Sequence, residues 1–231
     1  MNNNKGFTLV EILVALGITM IILAAIYMAV NASQKTSSGI ERRVLAQQDE
    51  KAALQIMEME IRMASYNPEF VYANLWKSPS NCNDFSNQAY KGIPVAEANA
   101  LAIEMDLNGN KSVGVSALGD TSEIIYYNYD TANQRITRET QCGGAQSLLG
   151  SNTAGQKSVK VINSILGIPI FRYFDVSGTE LAVPVTGDIP KIRRVDIVLA
   201  VETEYPNPST GQPSRIVYST SVLLRNHAPL P

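Results

Sequence analysis

Polar and apolar positions alternate along the chain in two distinct regimes. After a short polar leader, Met1 to Gly6, the run from Phe7 to Val30 is almost wholly apolar, with Glu11 its only charge. The uncharged part, Ile12 to Val30, would rise roughly 28 Å as a helix, enough to cross a hydrocarbon core of ~30 Å. Asn31 to Gly39 is polar and holds weak helix formers. From Ile40 to about Ser65 the helical period returns, with Ala53, Leu54, Ile56, Met57, Ile61 and Ala64 on one broad apolar face. Lys51, Gln55, Glu58 and Arg62 form the opposite stripe, Glu58 and Arg62 at the favourable i,i+4 order. Glu60 falls inside the apolar arc with no evident partner, and Met57, Met59 and Met63 read as packing. With Pro68 as the stop, the pattern predicts a helix of up to 59 residues, roughly 90 Å if unbroken.

Past Phe70 the period falls to two. Expected strands are Leu101–Met105, Glu123–Asn128, Arg135–Glu139, Ile170–Phe174, Arg194–Val201 and Arg215–Leu224. Val195, Ile197, Leu199 and Val201 share one face; Ile216, Tyr218, Thr220, Val222 and Leu224 share another. Turn chemistry separates them at Asn108-Gly109, at Asp130 to Asn133, at Ser177-Gly178 and from Pro206 to Pro213. Asn74 to Pro94 and Thr140 to Lys157 read as long loops.

Composition narrows the function. Of 231 residues 45% are hydrophobic and 17% charged, which suits one globular domain with an appendage. With a net charge of −2 and basic residues only in pairs such as Arg42-Arg43 and Arg193-Arg194, the chain lacks the footprint of a nucleic-acid binder. Cys82 and Cys142 lie one in each long loop, away from any CxxC pair or the lone histidine, so a zinc site is not expected. For an exported domain one Cys82–Cys142 disulfide is the economical reading, worth roughly 2–4 kcal/mol, against two unrelated thiols. His227, four residues from the end, reads as exposed on a loose tail rather than as a general base. No nucleophile elbow, Walker A or GxGxxG occurs, so no catalytic residue, cofactor or metal is expected. Asp106-Leu107-Asn108-Gly109-Asn110 spaces oxygen ligands like part of a calcium loop, but its Gly comes early and no Glu follows at the EF-hand distance. A hairpin-type turn is the expectation there.

Glu11 is the discriminating residue, because a carboxylate inside a bilayer costs roughly 2.5–3.5 kcal/mol on insertion scales. A secretory signal cut after Val30-Asn31-Ala32, before Ser33, leaves that cost unexplained, and so does a plain signal anchor. If the leader is instead removed after Gly6, the new amine of Phe7 lies about one helical turn from Glu11. In parallel helices, an amine of one subunit and a carboxylate of the next would then pair and fix their stagger.

Lys5-Gly6-Phe7-Thr8-Leu9-Val10-Glu11 followed by an apolar run resembles the prepilin leader and helix start of type IV pilins and type II secretion pseudopilins. The resemblance implies peptidase cleavage between Gly6 and Phe7 and N-methylation of Phe7. Looser motifs, ERRVLAQQDEKAALQIMEMEIRMASYNP, AIEMDLNGN, EIIYYNYDTANQRITRET, FRYFDVSG and the final IRRVDIVLAVETE…YSTSVLLRN, extend it over most of the chain and look like PilW-type minor pilins and their GspJ-type pseudopilin relatives. Met28 stands where major pilins commonly carry a helix-loosening Pro, and the cysteines are mid-chain rather than around a C-terminal loop. Both departures favour a low-copy subunit.

The implied fold is α+β and pilin-like, a long N-terminal α-helix, transmembrane in its first half, packed on an antiparallel β-sheet. Expected segments are a leader over 1–6, a membrane or filament-core helix over 7–30, its amphipathic continuation over 31–67 and a periplasmic β-rich domain over 68–231. The implied role is a minor pilin that helps start and cap a type IV pilus. Its partners would be other minor and major pilins, prepilin peptidase, the inner-membrane assembly platform and, in some tips, an adhesin. The precursor would sit in the bacterial inner membrane, and the mature subunit at the pilus tip. A type II secretion pseudopilin and an exported soluble binding or hydrolytic domain are the alternatives.

Overall fold

The computed structural model describes residues 6–70, 75–76, 91–114, 120, 122–140, 143–151, 153 and 159–227. One helix, α1 (Leu9–Arg62, 54 residues), runs through the polar stretch from Asn31 to Gly39 without a break. It carries no proline, and its weak helix formers cost only tenths of a kcal/mol each. It stops at Arg62, ahead of Pro68, where Ser65 takes a left-handed φ of 64°. Residues up to Ser38 are almost all exposed; burial begins at Gly39 and continues through Ala46, Glu50, Ala53, Leu54, Met57 and Ile61. Ile56 and Met59, assigned above to packing, point outward at 37% and 65% exposure, because the buried stripe is narrower than the apolar one. Glu58 and Arg62 form the expected i,i+4 pair.

The β-rich part contains two sheets rather than one, all of it antiparallel. The first has the order β1 (Val95–Ala96), β2 (Ala100–Glu104), β3 (Ile124–Asp130), β4 (Arg135–Thr140), β5 (Gln146–Leu149), a meander in which each strand pairs with its neighbour in sequence. The second has the order β10 (Arg215–Leu223), β9 (Arg194–Thr203), β7 (Phe171–Phe174), β8 (Glu180–Leu181), with β6 (Val159–Val161) also paired to β9. The short helix α2 (Asn163–Leu166) follows β6. All six expected strands form, with ends shifted by one or two residues. β5 lies inside the segment from Thr140 to Lys157 read as loop, because only Leu148 and Leu149 interrupt its polar and small residues. Main-chain bonds join the sheets: the Val161 N–H donates to Gln134 O (2.8 Å), and the Ile170 N–H to Ala98 O (2.9 Å).

α1 packs against β5, β9 and β10, and the larger of two apolar clusters runs from Ala46 to Leu224 across helix and both sheets. Glu60, unplaced by the pattern, is the polar tie to the first sheet. Arg138 on β4 donates to it from Nε (2.9 and 3.1 Å) and Nη2 (2.5 Å), and the Tyr127 hydroxyl on β3 donates to the same carboxylate. The second sheet is tied by Glu50, whose Oε1 accepts the Tyr218 N–H (3.2 Å), and by Arg42, which donates to Pro206 O (2.7 Å).

Removing Arg138 would leave the Glu60 carboxylate, only 15% exposed, facing Tyr127 alone. Breaking one side of a buried pair costs more than deleting both. For a pair that retains some solvent contact we expect Arg138→Leu to destabilise by about 2–3 kcal/mol in urea titration of the full chain in detergent. The double variant Glu60→Leu/Arg138→Leu should recover at least half of that loss, and equal losses in single and double variants would refute the pairing.

The C-terminal end corrects a further expectation. His227 is buried rather than exposed. Its Nε2–H donates to Ile189 O (2.8 Å), while Nδ1 lies 2.6 Å from the Ser65 hydroxyl and 3.0 Å from Lys91 O. The peptide carbonyl of His227 accepts from Arg193 Nη1 (2.6 Å). Burial holds the imidazole below its usual range, so it is neutral and structural. Gly92 is required beside it: φ is +82°, and a Cβ there would stand 2.9 Å from Ser65 Cα.

Candidate functional site

The N-terminal end of α1 holds every residue the sequence singled out for processing. Gly6, Phe7 and Thr8 precede the helix in non-helical backbone; Gly6 has open space around it and Phe7 is 85% exposed. The Gly6–Phe7 peptide bond therefore lies outside the helix and is sterically open, as a protease substrate must be. Thr8 is the N-cap, with extended φ and ψ of −78° and 152°. Its hydroxyl accepts the Glu11 N–H (3.3 Å), and Glu11 Oε2 accepts both the Thr8 N–H (2.8 Å) and the Thr8 hydroxyl (2.9 Å). This reciprocal capping box follows from Thr-x-x-Glu and satisfies N–H groups that would otherwise be orphaned at the helix start.

Glu11 is thus spoken for locally in the uncut chain, and its bonds reach to within one residue of the bond expected to be cut. Cleavage after Gly6 would place a cationic amine on Phe7, next to the Thr8 N–H that Glu11 already accepts. The carboxylate would then have a full charge to answer as well as a helix dipole.

Beyond the cap the helix is apolar on every side. Leu9, Val10, Leu13, Met20, Ile21, Leu23, Tyr27 and Met28 all expose 59% or more of their surface. Among the described residues, this is the one helix long and apolar enough to cross a membrane, and none of its most apolar window is covered by the rest of the chain. A helix apolar all round needs lipid or other helices on all sides. From Leu9 to Ser38 it projects roughly 45 Å beyond the β-rich part.

The structure gathers Gly6, Phe7 and Glu11 in one turn of chain. Cys82 and Cys142 lie outside the described residues. Asp106 to Asn110 does not form a tight hairpin: it begins the long connection from β2 to β3, and the Asp106 carboxylate is buried. Sequence reasoning missed Arg138 and Tyr127 as partners of Glu60. The signal was present, since a carboxylate in an apolar helix face demands a cation from a distant element, but nothing local says which.

Residues 1–27 match the family described as the prokaryotic N-terminal methylation motif. Comparison with curated proteins and with solved structures found no match. The motif supports a type IV pilin or pseudopilin, and proteins that carry it are structural subunits rather than enzymes. It implies contact with other pilins and with prepilin peptidase, and together with the apolar helix it fits a membrane-anchored precursor.

Proposed function

We propose that the chain is a minor pilin of the PilW type, a low-copy subunit that helps start a type IV pilus and caps its tip together with other minor pilins. Residues 1–6 are the leader, 7–30 the segment that moves from inner membrane to filament core, 31–67 its continuation and 68–231 the periplasmic domain. Prepilin peptidase cuts between Gly6 and Phe7 and the Phe7 amine is methylated; Glu11 then pairs with the Phe7 amine of a neighbouring subunit. A Cys82–Cys142 bond would tie the two long loops of the exported domain. The assembly platform in the inner membrane loads the subunit, and an adhesin is its partner where the tip carries one.

The observation that carries this reading is the combination at one helix end of an open Gly6–Phe7 bond, a charge at Glu11 and a naked apolar helix behind it. A helix that leaves lipid for a bundle of its own kind needs close packing and one specifying polar pair. The β-rich part, with its own core, travels outside that bundle.

The test is mass spectrometry of filaments sheared from cells that express the chain with a prepilin peptidase. We expect a peptide beginning at N-methylated Phe7, present at no more than a few per cent of the major subunit. A soluble chain beginning at Ser33 would overturn the pilin reading. A methylated chain confined to the envelope, with loss of protein secretion on deletion, would place it in a type II secretion pseudopilus instead.

A further inference from the structure

The loop between β9 and β10 marks where the β-rich part first meets α1. It lies against Gly39, where a Cβ would stand 2.6 Å from Asn207 Oδ1. Burial along α1 also begins at Gly39, so this loop is the rim that faces the bare apolar helix. Its shape is set from within. The Asn207 N–H donates to Gln212 O (2.9 Å), Asn207 O accepts the Thr210 and Gly211 N–H groups (3.2 and 2.8 Å), and Asn207 Oδ1 accepts the Ser209 N–H (2.9 Å). Arg42 fastens the loop to the helix through Pro206 O (2.7 Å) and lies over the Tyr205 ring, 5.7 Å from its centroid. Tyr205 is nevertheless 50% exposed, and Pro208 to Gln212 are exposed throughout.

Helix length fixes the height of this rim above a bilayer. From Leu9 to Ser38 the uncovered helix rises roughly 45 Å. A bilayer with both headgroup layers is about 40–45 Å thick, and a tilt of about 20° leaves the helix roughly 42 Å along the normal. Free helix and full bilayer therefore match, which brings the loop to the headgroup level on the domain's side. The charges there are one-sided. Lys35 and Arg43 stand one turn either side of Gly39, on the face that carries the domain. Both are exposed, and neither forms an ion pair among the described residues, whereas the rim's acids are taken: Glu204 by Lys160 (3.1 Å) and Glu202 by Arg215 (2.7 Å). Glu41, two residues on from Gly39, falls on the opposite side of the helix. Helical side chains lean toward the N-terminus, so Arg43 leans down past the loop and Lys35 sits a turn nearer the apolar run.

We propose that this rim is a membrane-docking surface. In the membrane-anchored precursor the β9–β10 loop rests on the phospholipid headgroups of the leaflet on the domain's side, with Lys35 and Arg43 against the phosphates of anionic lipid. Tyr205 lies among the headgroups, where an amphipathic ring is favoured. The inference rests on the anchored reading of α1. Basic side chains are drawn to an anionic leaflet only within about a Debye length, so the contact depends on the helix being no longer than it is. It holds the domain at one height, with the far end of α1, where Ser65 meets His227, away from lipid. The self-bonded turn at Asn207 gives the surface a fixed shape, and the Gly39 contact leaves no room for a side chain that would push the loop off the helix.

The test is photo-cross-linking of the full uncleaved chain in nanodiscs of one part phosphatidylglycerol to three of phosphatidylcholine. The cross-linker p-benzoylphenylalanine replaces Ser209 in the loop or, as a control, exposed Asn226 beside His227 at the far end. We expect phospholipid adducts, read by mass spectrometry, at least tenfold more abundant from position 209 than from 226. Insertion of seven residues between Ser37 and Ser38 keeps the helix face but lifts the loop by roughly 10 Å, and should cut the adducts at 209 at least fivefold. Lys35→Glu/Arg43→Glu should cut them at least threefold in these discs and leave them unchanged in pure phosphatidylcholine. Equal adducts at the two positions, adducts that survive the insertion, or adducts indifferent to the charge reversal would each overturn the surface. A chain that does not co-elute with nanodiscs at all would be a different failure, that of the anchored reading itself, and the surface would fall with it.

Discussion

Glu11→Ala is expected to leave cleavage after Gly6 intact and to lower recovery of the chain in sheared filaments at least tenfold. Cleavage would depend on the exposed stretch before the helix, and the hydrogen bonds of the Glu11 side chain go to Thr8, not to Gly6 or Phe7, among the described residues. Incorporation depends on charge. In the proposed filament each processed subunit would bring a new amine at Phe7, and without a carboxylate nearby that amine would enter an apolar bundle unpaired, the costly case for a buried ion. Glu11→Gln separates the two roles of the side chain: an amide oxygen can still accept the Thr8 N–H, so the cap persists, but it carries no charge. If charge pairing is what matters, Gln fails as Ala does; if capping is what matters, Gln restores incorporation. Immunoblots of membrane and sheared fractions, with the mature N-terminus read by mass spectrometry, decide between them. Wild-type incorporation of Glu11→Ala would sink the role given to Glu11.

Local pattern carried much of the architecture and little of its polar wiring. The apolar run, the capping residues Thr8 and Glu11 and the Ala53–Met57–Ile61 stripe are set by neighbours within one or two turns, so α1 was legible almost to its ends. The six long strands were legible for the same reason, since alternation such as Val195, Ile197, Leu199 records a half-buried face. What failed depended on distant partners. β5 exists because β4 offers an edge, not because Gln146 to Leu149 resembles a strand. His227 was misjudged because its burial is decided by Ser65, Lys91 and Ile189, far off in sequence. The division into two sheets is invisible in periodicity, which reports faces and not pairing order. At the loop after β2, the spacing of Asp106, Asn108 and Asn110 was visible, but the hydrogen bonds that Asn108 makes to Asp120 and Glu123 were not, because those residues arrive from the far end of the connection.

Glu104→Gln should raise stability at pH 8 and change it little at pH 5. Glu104 ends β2, opposite Ile124 in register, and so lies on the face covered by Leu75, Trp76 and Val113. It is 1% exposed, its Oε1 has no hydrogen-bond partner, and burial alone pushes its carboxyl up to about 8 from 4.5. The sign follows from proton counting. Between pH 4.5 and about 8 the folded chain holds a proton at Glu104 that the unfolded chain has lost, so stability is greatest below 4.5, falls as pH rises and levels off above 8. The full span corresponds to about 5 kcal/mol, of which about 4 kcal/mol falls between pH 5 and pH 8.5. Glu50, raised to about 7 by burial in part offset by the Tyr218 N–H, adds a smaller fall of the same sign. His227 acts oppositely: its lowered pKa makes the folded chain reject a proton, so its contribution is present above about 6.5 and lost on acidification. Wild type and Glu104→Gln share the Glu50 and His227 effects, which cancel in the difference between them. Thermal midpoints of the full chain in detergent, taken from pH 5 to pH 8.5, should therefore diverge as pH rises, with Glu104→Gln ahead by roughly 8–16 °C at the alkaline end. Parallel curves would mean that Glu104 is ionised and solvated in the folded chain, and the isolated buried carboxyl would have to be abandoned.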